Sequence, residues 1–264
     1  MYIEGRLGWD SIWSSQYNDS IVGEYLVAYE GNDLLTLTND EFPGGYSAYA
    51  GEGNDTISGT ASNDYIWCDD ETPPKPGGND TATGGDALDM IMGWLGDDTL
   101  KGQGGNDYLY GDEGYDVIEG GAGADRIWGG WDDGSADPLT NLLYGNAYGD
   151  PNPSLDGNDT IYGGQVTDYI WGHLGNDSIE GREGNDTIYA GGGNDTARGG
   201  ADQDEIWGGT GDSDSLYGDS GNDVLHGGVG STDYCSGGSG TDACWISWEP
   251  CEITAPFPDC NTTP

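Results

Sequence analysis

Residues 120–127 read Gly120-Gly121-Ala122-Gly123-Ala124-Asp125-Arg126-Ile127, and the same order of small residues, aspartate and apolar residue recurs along most of the chain. One run places aspartate every nine residues, at Asp80, Asp89, Asp98, Asp107, Asp116 and Asp125. Two places behind them stand Ala82, Ile91, Leu100, Leu109, Ile118 and Ile127. A second run repeats the spacing at Asp159, Asp168, Asp177, Asp186, Asp195 and Asp204, with Ile161, Ile170, Ile179, Ile188, Ala197 and Ile206 behind. Asp10, Asp19, Asp33, Asp55, Asp64, Asp214, Asp223, Asp233 and Asp242 extend the pattern with insertions between them. A fixed period with one apolar residue per unit marks a solenoid, in which each unit buries its apolar side chain only by stacking on its neighbours. Turn-forming Gly-Asn-Asp runs alone would need neither the period nor the apolar residue.

With aspartate as the sixth position, the unit is Gly-Gly-x-Gly-x-Asp-x-U-x, U being apolar. It resembles the calcium-binding nonapeptide of the repeats-in-toxin (RTX) family across most of residues 1–245. The resemblance implies an all-β parallel β-roll in which two nonapeptides make one coil. Each would supply a glycine-rich turn and a short x-U-x strand, with U inward and its neighbours outward. It further implies multiple calcium ions between the turns of successive coils, one between Asp80 and Asp98, another between Asp98 and Asp116. Asp89, Asp107 and Asp125 would serve the other side. Beyond the break, Asp159, Asp177, Asp195 and Asp214 would form one column and Asp168, Asp186, Asp204 and Asp223 the other. Calcium takes six to eight oxygens, from carboxylates and backbone carbonyls alike, so such turns suit it.

Composition points the same way. The 264 residues include 51 Gly, 49 Asp plus Glu, only 6 Lys plus Arg and 2 Phe, for a formal charge of −43. That balance ordinarily leaves a chain disordered. Each unit offers one aliphatic side chain against nine residues to order, so a further favourable term is required, and metal binding supplies one because its free energy becomes folding free energy. About twenty filled gaps would bring roughly +40 of charge as divalent calcium, close to the −43 of the sequence. A polyanion such as nucleic acid would be repelled.

No run of about 20 apolar residues is present, so no helical membrane span is expected, and no basic-then-apolar leader opens the sequence. Met1-Tyr2-Ile3-Glu4 fits the end of a repeat with Met1 in the aspartate place, which reads as a fragment of a secreted protein or a subunit whose first coil stacks on something else. Loop insertions are expected near 23–28, 36–49, 68–76 and 129–138. The third contains Pro73, Pro74 and Pro76, which cannot donate to a sheet ladder. Asn141 stands where an aspartate is expected, and Asp150, followed by Pro151 and Pro153, takes the next place in a half-coil expected to be distorted. Residues 246–264 lose the repeat and read as a C-terminal cap with cysteines.

Tracking the sides from Asp55 onward puts Trp67, Met92, Tyr110, Trp128, Pro153, Trp171, Tyr189, Trp207, His226 and Trp245 in one outward column. Such a strip suits ring stacking, protein association or glycan binding. The opposite face would carry a row with Thr56, Thr81, Thr99, Thr160 and Thr196, for which β-preference is sufficient reason and ice binding a less favoured one. Several Asn residues before the aspartates fall in N-x-S/T sequences by accident of the repeat; Asn261 lies outside it.

Cys235, Cys244, Cys251 and Cys260 cluster late, which suggests an oxidising extracellular setting. Pairing as Cys235–Cys251 with Cys244–Cys260, or as Cys235–Cys244 with Cys251–Cys260, stays open, and Cys68 is left over, free or intermolecular. No H-E-x-x-H, G-x-S-x-G or phosphate-loop motif occurs, and His173 and His226 fall on turn and outer positions, so no enzyme is expected. The expectation is an extracellular calcium-binding structural or surface protein that folds on calcium and self-associates end to end or through the aromatic strip. The alternative is a C-terminal calcium-dependent secretion or stability module of a larger secreted enzyme or adhesin.

Overall fold

The computed structural model describes residues 2–4, 11–13, 17–38, 45–69, 77–130, 140–146, 156–211, 213–229 and 232–245. Twenty-five strands run from β1 (Tyr2–Glu4) to β25 (Ala243–Trp245), and no helix occurs among these residues. Odd-numbered strands form a 13-stranded sheet and even-numbered strands a 12-stranded sheet, each in sequence order and parallel throughout. The chain therefore alternates between two sheets at every turn, which is the expected β-roll.

Within the regular run, β10 (Met90–Leu95) pairs with β12 (Tyr108–Glu113) so that Ile91 faces Leu109, and β11 (Thr99–Gly104) pairs with β13 (Val117–Ala122) so that Leu100 faces Ile118. The two-residue alternation sends these U residues inward, where they are fully buried in one continuous core. Neighbouring coils bury one another's apolar side chains, so the core is a single file of aliphatic residues one side chain thick on each sheet.

Two stretches expected as loops carry strands. In 23–28 lies β4 (Tyr25–Val27), which follows β3 (Ser20–Gly23) across the single residue Glu24; in 36–49 lies β6 (Tyr46–Tyr49). Leu26 and Ala48 pair across these strands and occupy buried U places. Glu24 and Tyr46 thus stand where aspartate stands elsewhere.

The break after Asp125 also differs from expectation. β14 (Arg126–Gly130) pairs directly with β16 (Thr160–Gly164), and β15 (Leu142–Tyr144) lies between β13 and β17 (Tyr169–Trp171). Asp159 therefore follows Asp125 in its column, and Asn141 sits between Asp116 and Asp168. The pairing leaves no ladder place for a half-coil at Asp150, where two prolines would withhold N–H donors; Asp150 itself lies outside the described residues. Losing one half-coil moves every later repeat to the opposite sheet from the one expected. The anticipated single aromatic column and single threonine row are each split between the two faces.

Candidate metal turns and outer faces

The sixth-position aspartates form two buried columns, one at each edge of the roll. Asp19, Asp33, Asp55, Asp80, Asp98, Asp116, Asn141, Asp168, Asp186, Asp204, Asp223 and Asp242 precede odd strands; Asp64, Asp89, Asp107, Asp125, Asp159, Asp177, Asp195, Asp214 and Asp233 precede even ones. All are almost completely buried. Asp10 lies outside the described residues.

One carboxylate oxygen of each links the coils. The N–H of Asp80 donates to Asp98 Oδ1 at 2.8 Å, that of Asp98 to Asp116 Oδ1 at 2.9 Å, and that of Asp107 to Asp125 Oδ1 at 2.8 Å. The other oxygen is buried without a hydrogen-bond donor at Asp80, Asp89, Asp98, Asp107, Asp125, Asp159, Asp177, Asp186, Asp195 and Asp204, among others. A buried anionic oxygen without a partner is costly. Burial accordingly pushes these carboxyls up, to about 9 at Asp80, Asp159 and Asp186, about 8 at Asp55, Asp107 and Asp177, and about 7 at Asp89, Asp98, Asp125 and Asp204. Neighbouring carboxylates add to the rise, and the backbone N–H bonds oppose it.

Glycine at the first position leaves room beside the orphaned oxygen. A Cβ built on Gly93 would collide with Asp98 Oδ2 and with the carbonyl oxygen of Gly111 in the next coil, 2.8 Å away. Gly102, Gly111, Gly145 and Gly181 meet the same pair of atoms, the aspartate of their own turn and the carbonyl of the next. Each such turn is a cradle lined by one carboxylate oxygen and one or more carbonyl oxygens, a donor set that fits a hard divalent cation such as calcium. Among the described residues no three His, Cys, Asp or Glu side chains converge as a metal cluster, and the carbonyl oxygens beside each carboxylate are the further oxygens that a cation would meet. The second and fourth glycines serve the backbone instead. Gly121 (φ 109°) and Gly123 (φ 128°) hold positive φ, and where a second position is not glycine, as at Trp94, Gln103, Asp112 and Arg182, the residue still takes φ of 73–85°.

Asp64 and Asp168 use their second oxygen as well. Asp64 Oδ2 accepts from Thr60 N at 2.5 Å, and Asp168 Oδ2 from Gly164 N at 2.7 Å. Their turns lack the fourth-position glycine, carrying Ser62 and Val166 there.

Several participants escaped the sequence reading. Fifth-position Asn side chains build an outer ladder in which Asn54 Oδ1 accepts from Asn79 N at 3.2 Å, and Asn176 Oδ1 from Asn194 N at 2.7 Å. Their recurrence before aspartate was visible, but their role required the coil-to-coil register. Asp69 and Asp112, at second positions, bring further carboxylates near Asp98 and help to raise its carboxyl. Cys68 stands at a first position, fully buried and free, and burial and the carboxylates around it push its thiol up. Cys235 and Cys244 occupy the expected U places of β24 (Tyr234–Ser236) and β25, while Cys251 and Cys260 lie outside the described residues.

The aromatic residues form two ladders on opposite faces. Tyr49–Trp67 and Tyr110–Trp128 stack at 4.5 Å on the even sheet, with Trp128–Tyr162 continuing at 5.6 Å. Tyr144, Trp171, Tyr189, Trp207, His226 and Trp245 stack in turn on the odd sheet, at 4.5 to 6.3 Å. Interplanar angles of 3° to 23° along these rows mean that ring faces cover one another and ring edges face outward. Such stacking adds to sheet stability and leaves little ring face for a sugar.

No helix among the described residues is long and apolar enough to cross a membrane. No curated protein matches the sequence. A profile of the RTX calcium-binding nonapeptide repeat, four copies long, matches residues 48–67, 77–100, 101–136, 155–188, 180–213, 199–234 and 209–243, which together cover well over half of the chain. With its stacked glycine turns and inward U residues in the same register, the chain belongs to the RTX calcium-binding nonapeptide repeat family.

Proposed function

We propose that this protein is an extracellular structural or surface component whose β-roll folds when calcium fills the cradles of its two aspartate columns. The observation that carries this reading is the repeated buried carboxylate oxygen without a donor, set beside a carbonyl in turn after turn. A charge of −43 otherwise opposes the compact state, and divalent ions in the cradles offset it. Extracellular calcium is abundant enough to load sites of millimolar affinity, and secretion is usual for RTX repeat proteins. The role in this reading is binding and scaffolding rather than catalysis.

Neutralised columns leave the outer faces, with their ring edges, as the surfaces on which copies associate. Sedimentation velocity of the full chain in millimolar calcium is expected to give species larger than the 27.7 kDa monomer, and these are expected to dissociate in chelator. A sharp monomer boundary in calcium would remove the assembly and favour the alternative, a secretion or stability module of a larger protein.

A further inference from the structure

The odd column contains one rung whose side chain ends in an amide. Asn141 is fully buried between Asp116 and Asp168. Its orientation is fixed from outside: the N–H of Asp116 donates to Asn141 Oδ1 at 2.9 Å, as each aspartate N–H does to the Oδ1 of the next rung. The amide nitrogen is thereby turned to the place that Oδ2 holds elsewhere, and Nδ2 is buried there without an acceptor.

The surroundings change with it. Gly129 is the first-position glycine of this turn, and a Cβ built on it would meet Asn141 Nδ2 at 3.1 Å and the two methyl carbons of Leu143 at 3.1 and 3.4 Å. At Gly93, Gly111 and Gly181 the corresponding point meets a carboxylate oxygen and the carbonyl oxygen of the next turn. One rung on, Asp168 has spent its second oxygen on Gly164 N–H. The other column passes the same level without interruption, since Asp125 N–H donates to Asp159 Oδ1 at 2.8 Å and both Oδ2 atoms are orphaned.

We infer that the Asn141 turn excludes calcium, so that the odd column is two separate cation arrays, Asp19 to Asp116 and Asp186 to Asp242, while the even column runs on. An NH2 group donates hydrogen bonds and repels a cation, and leucine methyls supply no ligand. The sequence offers the same logic in reverse: restoring a carboxylate at this rung, beside a glycine already in place, supplies what the cradle lacks.

This inference rests on the calcium reading above. It is tested by counting bound calcium per chain, by mass spectrometry of the metal after gel filtration of the full-length protein in calcium, together with thermal melts. Asn141→Asp is expected to bind one more ion than the wild type and to melt higher in calcium, with no such rise in chelator. Asp98→Asn places an amide in a regular cradle and is expected to bind one ion fewer. An unchanged count in Asn141→Asp, or, should that variant fail to fold, an unchanged count in Asp98→Asn, overturns the inference. A wild type that binds no calcium would overturn the functional reading itself, a different result from binding without the expected step of one.

Discussion

In excess chelator near pH 8 the chain is expected to give a largely disordered far-ultraviolet circular dichroism spectrum, and millimolar calcium to restore β signal in one cooperative transition. The reason lies in the columns. Each regular turn places a carboxylate oxygen in a buried cradle with no donor, an arrangement that costs more than the single aliphatic side chain per half-coil returns. Calcium supplies the missing partner and links adjacent coils, so binding and stacking proceed together. Magnesium is expected to substitute poorly because it demands tight octahedral geometry and gives up water reluctantly. A native-like spectrum in chelator at this pH would contradict the coupling.

Acid is expected to replace calcium in part. In the metal-free roll, burial raises the carboxyls to between about 6, at Asp195 and Asp223, and about 9, at Asp80, Asp159 and Asp186, against an ordinary value of 3.8. A group whose folded pKa is raised stabilises the fold fully below its unfolded value and loses that contribution as pH rises through the folded one. Between pH 4 and 5 the buried column carboxyls stay protonated and neutral, so the part of the −43 charge that they carry is removed. A pH titration in chelator is therefore expected to show β signal at pH 4 to 5 that disappears between about pH 6 and 9. A metal-free chain that gained structure as pH rose would contradict the sign.

The sequence spoke clearly where repeat chemistry was intact. From Asp80 to Asp125, spacing alone gave the register that pairs Ile91 with Leu109 and Leu100 with Ile118. It was silent where a half-coil formed without the aspartate mark. Glu24 and Tyr46 hold the aspartate place because β4 and β6 need only an inward apolar residue, Leu26 or Ala48, to join the ladder. A count of repeats placed Asp150 on a rung, whereas the β14–β16 pairing gives that rung to Asp159. One missing half-coil reverses the sheet of every later residue, so the aromatic and threonine columns read as continuous when they are not. Which oxygen of each aspartate is tied and which is orphaned depends on coil-to-coil hydrogen bonds, and no local pattern encodes that.

The most direct measurement is anomalous diffraction from crystals of the full chain grown in calcium. Peaks are expected in the first-position glycine cradles beside Asp98, Asp107, Asp125, Asp177 and Asp186, within 2.3–2.6 Å of the Oδ2 atom, and none beside Asn141. Crystals that hold the same β-roll in millimolar calcium with no anomalous density at these turns would contradict the assignment of the aspartate columns to calcium.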